Sequence, residues 1–224
     1  MTINFNTAVK AAAVAAALAF SSVSHAAITA QSKSALEYYN DDATFFGTPS
    51  ATTVSPWTLS GDGVNTLAFC IDPTTPANDQ AGYSGQLTRQ SNSAIVGLYE
   101  TSYSKVLNNG VYNANNAAAF QLALWETLDD KDFAHGKLQL PTTGGVLDDN
   151  DLVAGIAHGM LSDALAYSGH GGNYVYTEYT AAGSQTLLGV SAVPEADSWA
   201  MMVAGLGLLG LVARRKPGKS ASFA

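Results

Sequence analysis

Two residues stand out by their chemistry: a cysteine without a partner and a glutamine at a core-facing position. Cys70 is the only cysteine in the chain, so it can form no intramolecular disulfide. At 100° per residue, Gln121 falls within an apolar helical stripe that includes Trp125 and Leu128. A buried carboxamide costs about 1–3 kcal/mol when it is left unpaired. A thiolate that attacks a glutamine side-chain carbonyl and expels ammonia forms an internal thioester, which would account for both residues.

Other interpretations of the two residues stay open at this point. Cysteine is among the most buried residue types, and a helical glutamine can hydrogen-bond to a loop backbone without special purpose. An intermolecular disulfide or other thiol chemistry is a third interpretation. Glu126 and Thr127 fall on the opposite, polar side of the helix, so the register does not easily rotate to put Gln121 in water.

The local sequences around both residues carry a resemblance. Phe69-Cys70-Ile71-Asp72 and the segment 120–125, Phe-Gln-Leu-Ala-Leu-Trp, resemble the aromatic-Cys-aliphatic and Gln-x-Ala-aliphatic-Trp motifs of bacterial surface thioester domains. Residues 185–188 resemble a closing strand of that family, whereas Phe120 departs from its frequent Thr. The resemblance implies Cys70 and Gln121 as thioester partners, with Phe69 and Trp125 packing beside them. It also implies covalent attachment to an amine nucleophile on a host, surface or matrix partner.

The elements that would position these residues form an α+β pattern. Short strands joined by tight turns are predicted over 35–72, because β-branched and aromatic residues alternate there with turn formers. In 64–71, period two places Leu67, Phe69 and Ile71 on one face, predicted to be core, and Cys70 on the other. Three helices and a return to strands are predicted downstream, over 91–107, 116–129, 152–167, 174–177 and 185–190. By resemblance the fold is a β-sandwich or barrel-like domain with a helical insertion.

The N-terminal residues are typical of a secretory signal peptide. Lys10 precedes an apolar run at 11–20 that is too short to span a bilayer stably. Ser24 and Ala26 supply small residues at the −3 and −1 positions, which predicts cleavage after Ala26. The alternative is an alanine-rich helix retained in the mature protein.

The C-terminal residues combine three features. Pro194-Glu195 precedes an uncharged, glycine-rich apolar segment at 198–213, and a basic cluster with Arg214 and Arg215 follows. This layout resembles the PEP-CTERM sorting signal of Gram-negative bacteria, which the membrane protease exosortase processes. Ala196 replaces the second proline of that motif. A plain C-terminal membrane anchor is the alternative, and both interpretations place the intervening residues outside the cytoplasm.

Composition and the remaining motifs narrow the function further. With a formal net charge of −8, the chain lacks the excess of basic residues that nucleic-acid binding requires. His135, His158 and His170 could assist a cysteine hydrolase or bind a metal, but nothing local marks them as catalytic and their spacing lacks zinc-type pairs. The acidic run 148–151 lacks the EF-hand glycine and glutamate, so it is interpreted as a charge cluster at a helix N-terminus.

The sequence therefore predicts a surface protein rather than an enzyme, with no cofactor and no metal. Its expected parts are a signal peptide (1–26), a thioester-like surface domain (27–192), a sorting signal with a membrane helix (193–216) and a cytoplasmic tail (217–224). The expected partners are exosortase, the inner membrane that holds the C-terminal helix transiently, and an amine-bearing nucleophile. Processing would release the protein to the cell surface or extracellular matrix. The alternative function is a structural surface or exopolysaccharide-associated protein with a buried, unreactive cysteine.

Overall fold

The computed structural model describes residues 27–33, 36–108, 110–141, 149–193 and 201–206. Its strands in chain order are β1 (Thr29–Ser32), β2 (Leu36–Phe45), β3 (Thr48–Val54), β4 (Trp57–Gly61), β5 (Val64–Cys70), β6 (Ser84–Thr88), β7 (Leu107–Asn108), β8 (Val111–Tyr112), β9 (Leu138–Gln139), β10 (Tyr174–Thr180) and β11 (Leu187–Ala192). Its main helices are α1 (Ser93–Val106), α2 (Ala114–Leu128) and α3 (Asp149–Ala166). The chain is thus a mixed α and β protein, as the sequence pattern predicts.

The principal sheet has six antiparallel strands in the order β1-β4-β5-β11-β10-β6. Its two edge strands, β1 and β6, approach each other at one corner. Ile28, just before β1, forms an antiparallel bridge with Tyr83, just before β6, and the Tyr83 N–H donates to the Ile28 carbonyl at 2.8 Å. The sheet is therefore curled, and β5 lies inside it rather than at an edge.

Turn chemistry fixes the register of β4 against β5. Asp62 and Gly63 both have positive φ, at 49° and 75°, which is the conformation of a two-residue hairpin turn that matches strand twist. The register that follows places Trp57 opposite Ala68. A second, three-stranded sheet has the order β3-β2-β9, and β7 and β8 form a small hairpin.

The helices lie between β6 and β10 in the chain, as the predicted helical insertion. The Asn92 side chain caps α1 by accepting hydrogen bonds from the N–H groups of Ala94 and Ile95, at 3.0 and 3.4 Å. Gly97 lets α1 approach α3 closely, since a Cβ at this position would collide with the Ala164 carbonyl oxygen.

The structure corrects several expectations about local structure. Helix α2 begins at Ala114 and not at the predicted residue 116, because the Asn113 side chain caps it by accepting from the Asn116 N–H at 2.9 Å. Helix α3 begins at Asp149, so the acidic run 149–151 belongs to its first turn. Both faces of β5 are buried at its end, where Ala68 and Cys70 are as inaccessible as Phe69.

The prediction that α2 has a polar, solvent-facing side is also wrong. Glu126 is 0% exposed and Thr127 1% exposed, and every residue from Ala117 to Thr127 is buried. The helix is central because it packs against α1, α3, β3 and β5. No face of its middle section is left to water.

Candidate functional site

Cys70 is held by its position at the end of β5. It lies opposite Leu187 of β11 in the sheet and its side chain is 1% exposed. On the other side of β5, the register pairs Trp57, the first residue of β4, with Ala68. Strand β4 therefore starts two residues short of Cys70, and the backbone of Cys70 needs hydrogen-bond partners from elsewhere.

Gln121 provides those partners. The Cys70 N–H donates to Gln121 Oε1 at 2.8 Å, and Gln121 Nε2 donates to the Cys70 carbonyl at 2.8 Å. The carboxamide thus continues the ladder of β5 beyond the end of β4. The Gln121 side chain is 0% exposed, as its place in the helical stripe predicts, and the cost of burying it is offset by these two bonds.

Trp125 lies one helical turn after Gln121 and belongs to the same site. It borders the same pocket as Cys70, and its ring meets Phe46 edge to face with centroids 6.0 Å apart. The buried indole N–H has no hydrogen-bond partner among the described residues. It is nevertheless close enough to the Cys70 sulfur to lower the pKa of the thiol.

Phe69 occupies a different environment from the other three predicted residues. Side chains alternate along a strand, so Phe69 points away from the Cys70 side chain. Its ring lies 4.6 Å from Phe120 and 6.3 Å from Tyr103 between centroids, in the aromatic cluster between sheet and helices. Phe69 and Phe120 therefore fix β5 against α2, one residue away from the pair Cys70 and Gln121.

The Cys70 thiol is strongly biased toward its neutral form. Burial is the largest cause and raises its pKa to about 12, while the Asp72 backbone and the Trp125 indole act in the opposite direction. At neutral pH the neutral thiol therefore strongly predominates over the thiolate. The sulfur is therefore unreactive toward most reagents in solution, and a reaction partner has to be held against it.

A pocket of about 390 Å³ opens beside the sulfur. Its walls combine hydroxyl groups with two indole rings, and it is lined by Ser32, Thr52, Thr53, Ser55, Trp57, Cys70, Pro73, Ala77, Trp125 and Gln185. The hydroxyl groups of Ser32 and Ser55 are hydrogen-bonded to each other at 2.5 Å. Gln121 is not among the lining residues.

The three histidines lie in other surroundings. His135 is exposed, and its Nδ1 lies 2.8 Å from Asp132 Oδ2. His158 packs its ring 4.8 Å from Phe133, and its Nε2 is 3.2 Å from the Pro141 carbonyl. His170 is exposed in the loop before β10. The described lining of the Cys70 pocket includes none of them.

Sequence reasoning missed Glu126 as a residue of interest. Its ligand oxygens and those of Asp129 and Asp130 lie within 4.8 Å of one another at the end of α2. The spacing i, i+3, i+4 places three acidic residues on one side of a helix end, and this was the available signal.

The predicted sorting and cleavage residues, Ala26, Pro194, Glu195, Arg214 and Arg215, lie outside the described residues. So do the predicted signal peptide and cytoplasmic tail. Residues 201–206 of the predicted membrane segment are helical. Within the described part of the chain, no helix has the length and hydropathy to cross a bilayer.

The family model of the PEP-CTERM protein-sorting motif matches residues 192–216. The chain carries a PEP-CTERM sorting motif. The predicted C-terminal signal is thereby confirmed despite Ala196, and it supports an exported surface protein that is processed by exosortase and associates with the membrane during sorting.

Solved structures give two distant likenesses. The N-terminal domain of the Streptococcus pyogenes pilus tip adhesin Cpa is 17% identical with a TM-score of 0.46, over 78% of this chain and 97% of that chain. The Bacillus anthracis TIE protein is 10% identical with a TM-score of 0.39, over 74% of this chain and 39% of that chain. No curated protein sequence matches. At these TM-scores the likenesses assign no function.

Proposed function

We propose that this sorted surface protein forms an internal thioester between Cys70 and Gln121 and uses it for covalent adhesion to amine-bearing partners. The observation that carries the proposal is the pair of hydrogen bonds between the Gln121 carboxamide and the Cys70 backbone, both at 2.8 Å. They fix the electrophilic carbon of one residue beside the residue that bears the nucleophile. Holding reactants in this way is worth several kcal/mol of a reaction barrier.

Formation of the bond is an acyl transfer within the protein. The Cys70 sulfur attacks Gln121 Cδ, the new bond joins sulfur to Cδ, and the Cδ–Nε2 bond breaks. Nitrogen leaves as ammonia and takes up the thiol proton. The Cys70 N–H already donates to Oε1, where negative charge develops in the tetrahedral intermediate. A preorganised donor at that position accelerates acyl transfer by about 10²–10³-fold.

The second half of the reaction consumes the thioester. Once Cδ is bonded to the sulfur of Cys70, which lines the 390 Å³ pocket, an amine that enters this pocket attacks Cδ. The bond between Cδ and sulfur breaks, an amide forms, and the amine proton returns to sulfur as the Cys70 thiol. The step is stoichiometric, since Gln121 remains joined to its partner, which is an adhesive outcome and not turnover.

One observation favours a second candidate, a structural surface protein with an inert cysteine. Cys70 is 1% exposed and burial raises the pKa of its thiol to about 12, so the free thiol is a poor nucleophile. The motif resemblance and the placement of the carboxamide beside Cys70 favour the thioester instead.

Methylamine distinguishes the two candidates. The purified full-length protein is incubated with methylamine under native conditions, and the labelled residue is found by peptide mass mapping. We expect one methylamine per molecule at Gln121, and none in Cys70→Ala. Gln185→Met is the matched control, because Gln185 lines the pocket and its loss should leave labelling unchanged. Label at Gln185, label that persists in Cys70→Ala, or no label at all would contradict the proposal.

A further inference from the structure

Three carboxylates converge where α2 ends. The ligand oxygens of Glu126, Asp129 and Asp130 lie within 4.8 Å of one another. Gly136, from the loop that returns toward β9, lies directly against two of them. A Cβ at this glycine would be 2.5 Å from Asp129 Oδ2 and 2.7 Å from Asp130 Oδ2. The loop backbone at Gly136 is thus packed directly against the acidic oxygens at the end of α2.

Glu126 makes this cluster more than an exposed acidic patch. Its side chain is 0% exposed, and Oε1 accepts the Asp132 N–H at 2.8 Å. Its second oxygen, Oε2, is buried and has no hydrogen-bond partner among the described residues. Buried polar atoms are almost always paired, and an unpaired carboxylate oxygen is especially costly. The neighbouring Asp129 and Asp130 carboxyl groups bring no positive charge to Glu126.

The nearby basic side chains do not provide a positive charge to Glu126 Oε2. Lys137 contributes its backbone N–H to Asp129 Oδ2, and His135 is engaged by Asp132. Among the described residues, no ion pair joins the lysines of this loop to the cluster. Three acidic side chains therefore lie together without a positively charged side chain among the described residues, an arrangement that a bound cation would stabilise.

We propose that Glu126 Oε2, with one oxygen each from Asp129 and Asp130, binds a calcium ion. Calcium takes 6–8 oxygen ligands at about 2.3–2.6 Å, so ligand oxygens up to about 4.8 Å apart fit around one ion, whereas magnesium demands a tighter octahedron. Asp130 is exposed and Asp129 partly so, which leaves room for water to complete the shell. Three protein carboxylates and a wet outer face favour a dissociation constant of about 0.1–1 mM, in the range of extracellular calcium modules.

The position of the ion gives it a structural effect. It would tie the last turn of α2, which follows Trp125, to the loop 129–137 that leads into β9. This site is separate from the proposed thioester and does not depend on it.

The test is a thermal melt of the purified full-length protein with calcium alone as the ligand. At about 10 mM CaCl2, against NaCl of equal ionic strength, the melting temperature should rise by about 3–10 °C. Magnesium should give a clearly smaller rise. Glu126→Gln should abolish the calcium effect, because it removes the buried carboxylate from the ligand set, while the amide oxygen can still accept the Asp132 N–H.

Two further variants keep the test decisive. Asp130→Asn changes an exposed ligand and should also abolish the calcium shift, even if Glu126→Gln fails to fold. Asp79→Asn removes the same charge from an exposed loop elsewhere and should keep the full shift. No calcium shift in the wild type, or an equal shift in Asp130→Asn and the wild type, would overturn the proposal.

Discussion

Replacing Gln121 by methionine in a Cys70→Ala background tests whether the carboxamide supports the fold as well as the chemistry. Cys70→Ala removes the sulfur, so no thioester can form, yet it keeps the backbone N–H and carbonyl that the carboxamide contacts. Methionine is unbranched like glutamine and is a good helix former, so shape and helix propensity change little.

The expected loss follows from two orphaned groups. Without the carboxamide, the N–H and the carbonyl of residue 70 are both buried and unpaired, at about 1–3 kcal/mol each. Burial of the apolar methionine side chain offsets about 1–2 kcal/mol of this. At mid-range values, a cost of about 4 kcal/mol less an offset of about 1.5 kcal/mol, the double variant should be about 2–3 kcal/mol less stable than Cys70→Ala alone.

Urea unfolding followed by fluorescence measures the difference. With a slope of about 2 kcal/mol per molar urea, the midpoint should fall by about 1–1.5 M. Gln86→Met, at an exposed position of edge strand β6, is the matched control and should shift stability by less than about 0.5 kcal/mol. If the Gln121 double variant is as stable as Cys70→Ala, the carboxamide does not satisfy the β5 backbone in solution, and the geometric basis of the proposed site fails.

Two further predictions concern the thiol and the helix packing. No thioester can form in Gln121→Met, so this variant keeps a free Cys70 thiol. The rate of its alkylation by iodoacetamide should rise about tenfold per pH unit from pH 7 to pH 10, because burial raises the pKa of the thiol to about 12. A rate that levels off near pH 9 would show an ordinary thiol and contradict this prediction. Gly97→Ala should destabilise the protein by about 1–3 kcal/mol, because the new Cβ collides with the Ala164 carbonyl. Gly159→Ala, which has open space around it, should instead stabilise α3 by about 0.5–1 kcal/mol. Equal effects of the two variants in thermal unfolding would contradict the close crossing of α1 and α3.

Much of the fold follows from periodicity in the sequence. The segments with period-two alternation predicted strands close to the observed ones. The apolar stripes predicted the three helices that lie between those strands in the chain. The stripe also placed Gln121 in the core. These features are predictable because each depends on the order of neighbouring residues alone.

The remaining features depend on contacts between distant segments. The Gln121 contact requires β4 to start at Trp57, two residues short of Cys70, and no local pattern encodes that gap. Glu126 is buried because α2 is enclosed on all sides, which a helical projection with one core face does not represent. The cap of α2 at Asn113 depends on the β7–β8 hairpin, since Asn113 N–H bonds back to the Val106 carbonyl at 3.0 Å.

The intact mass of the protein tests the central claim most directly. The purified protein and its Cys70→Ala variant are measured side by side under non-reducing, amine-free conditions. A thioester between Cys70 and Gln121 predicts that the wild type is lighter than its composition requires by one ammonia and that the variant has its full mass. A wild-type protein of full mass with one titratable thiol would contradict the thioester and leave a sorted surface protein with a buried cysteine.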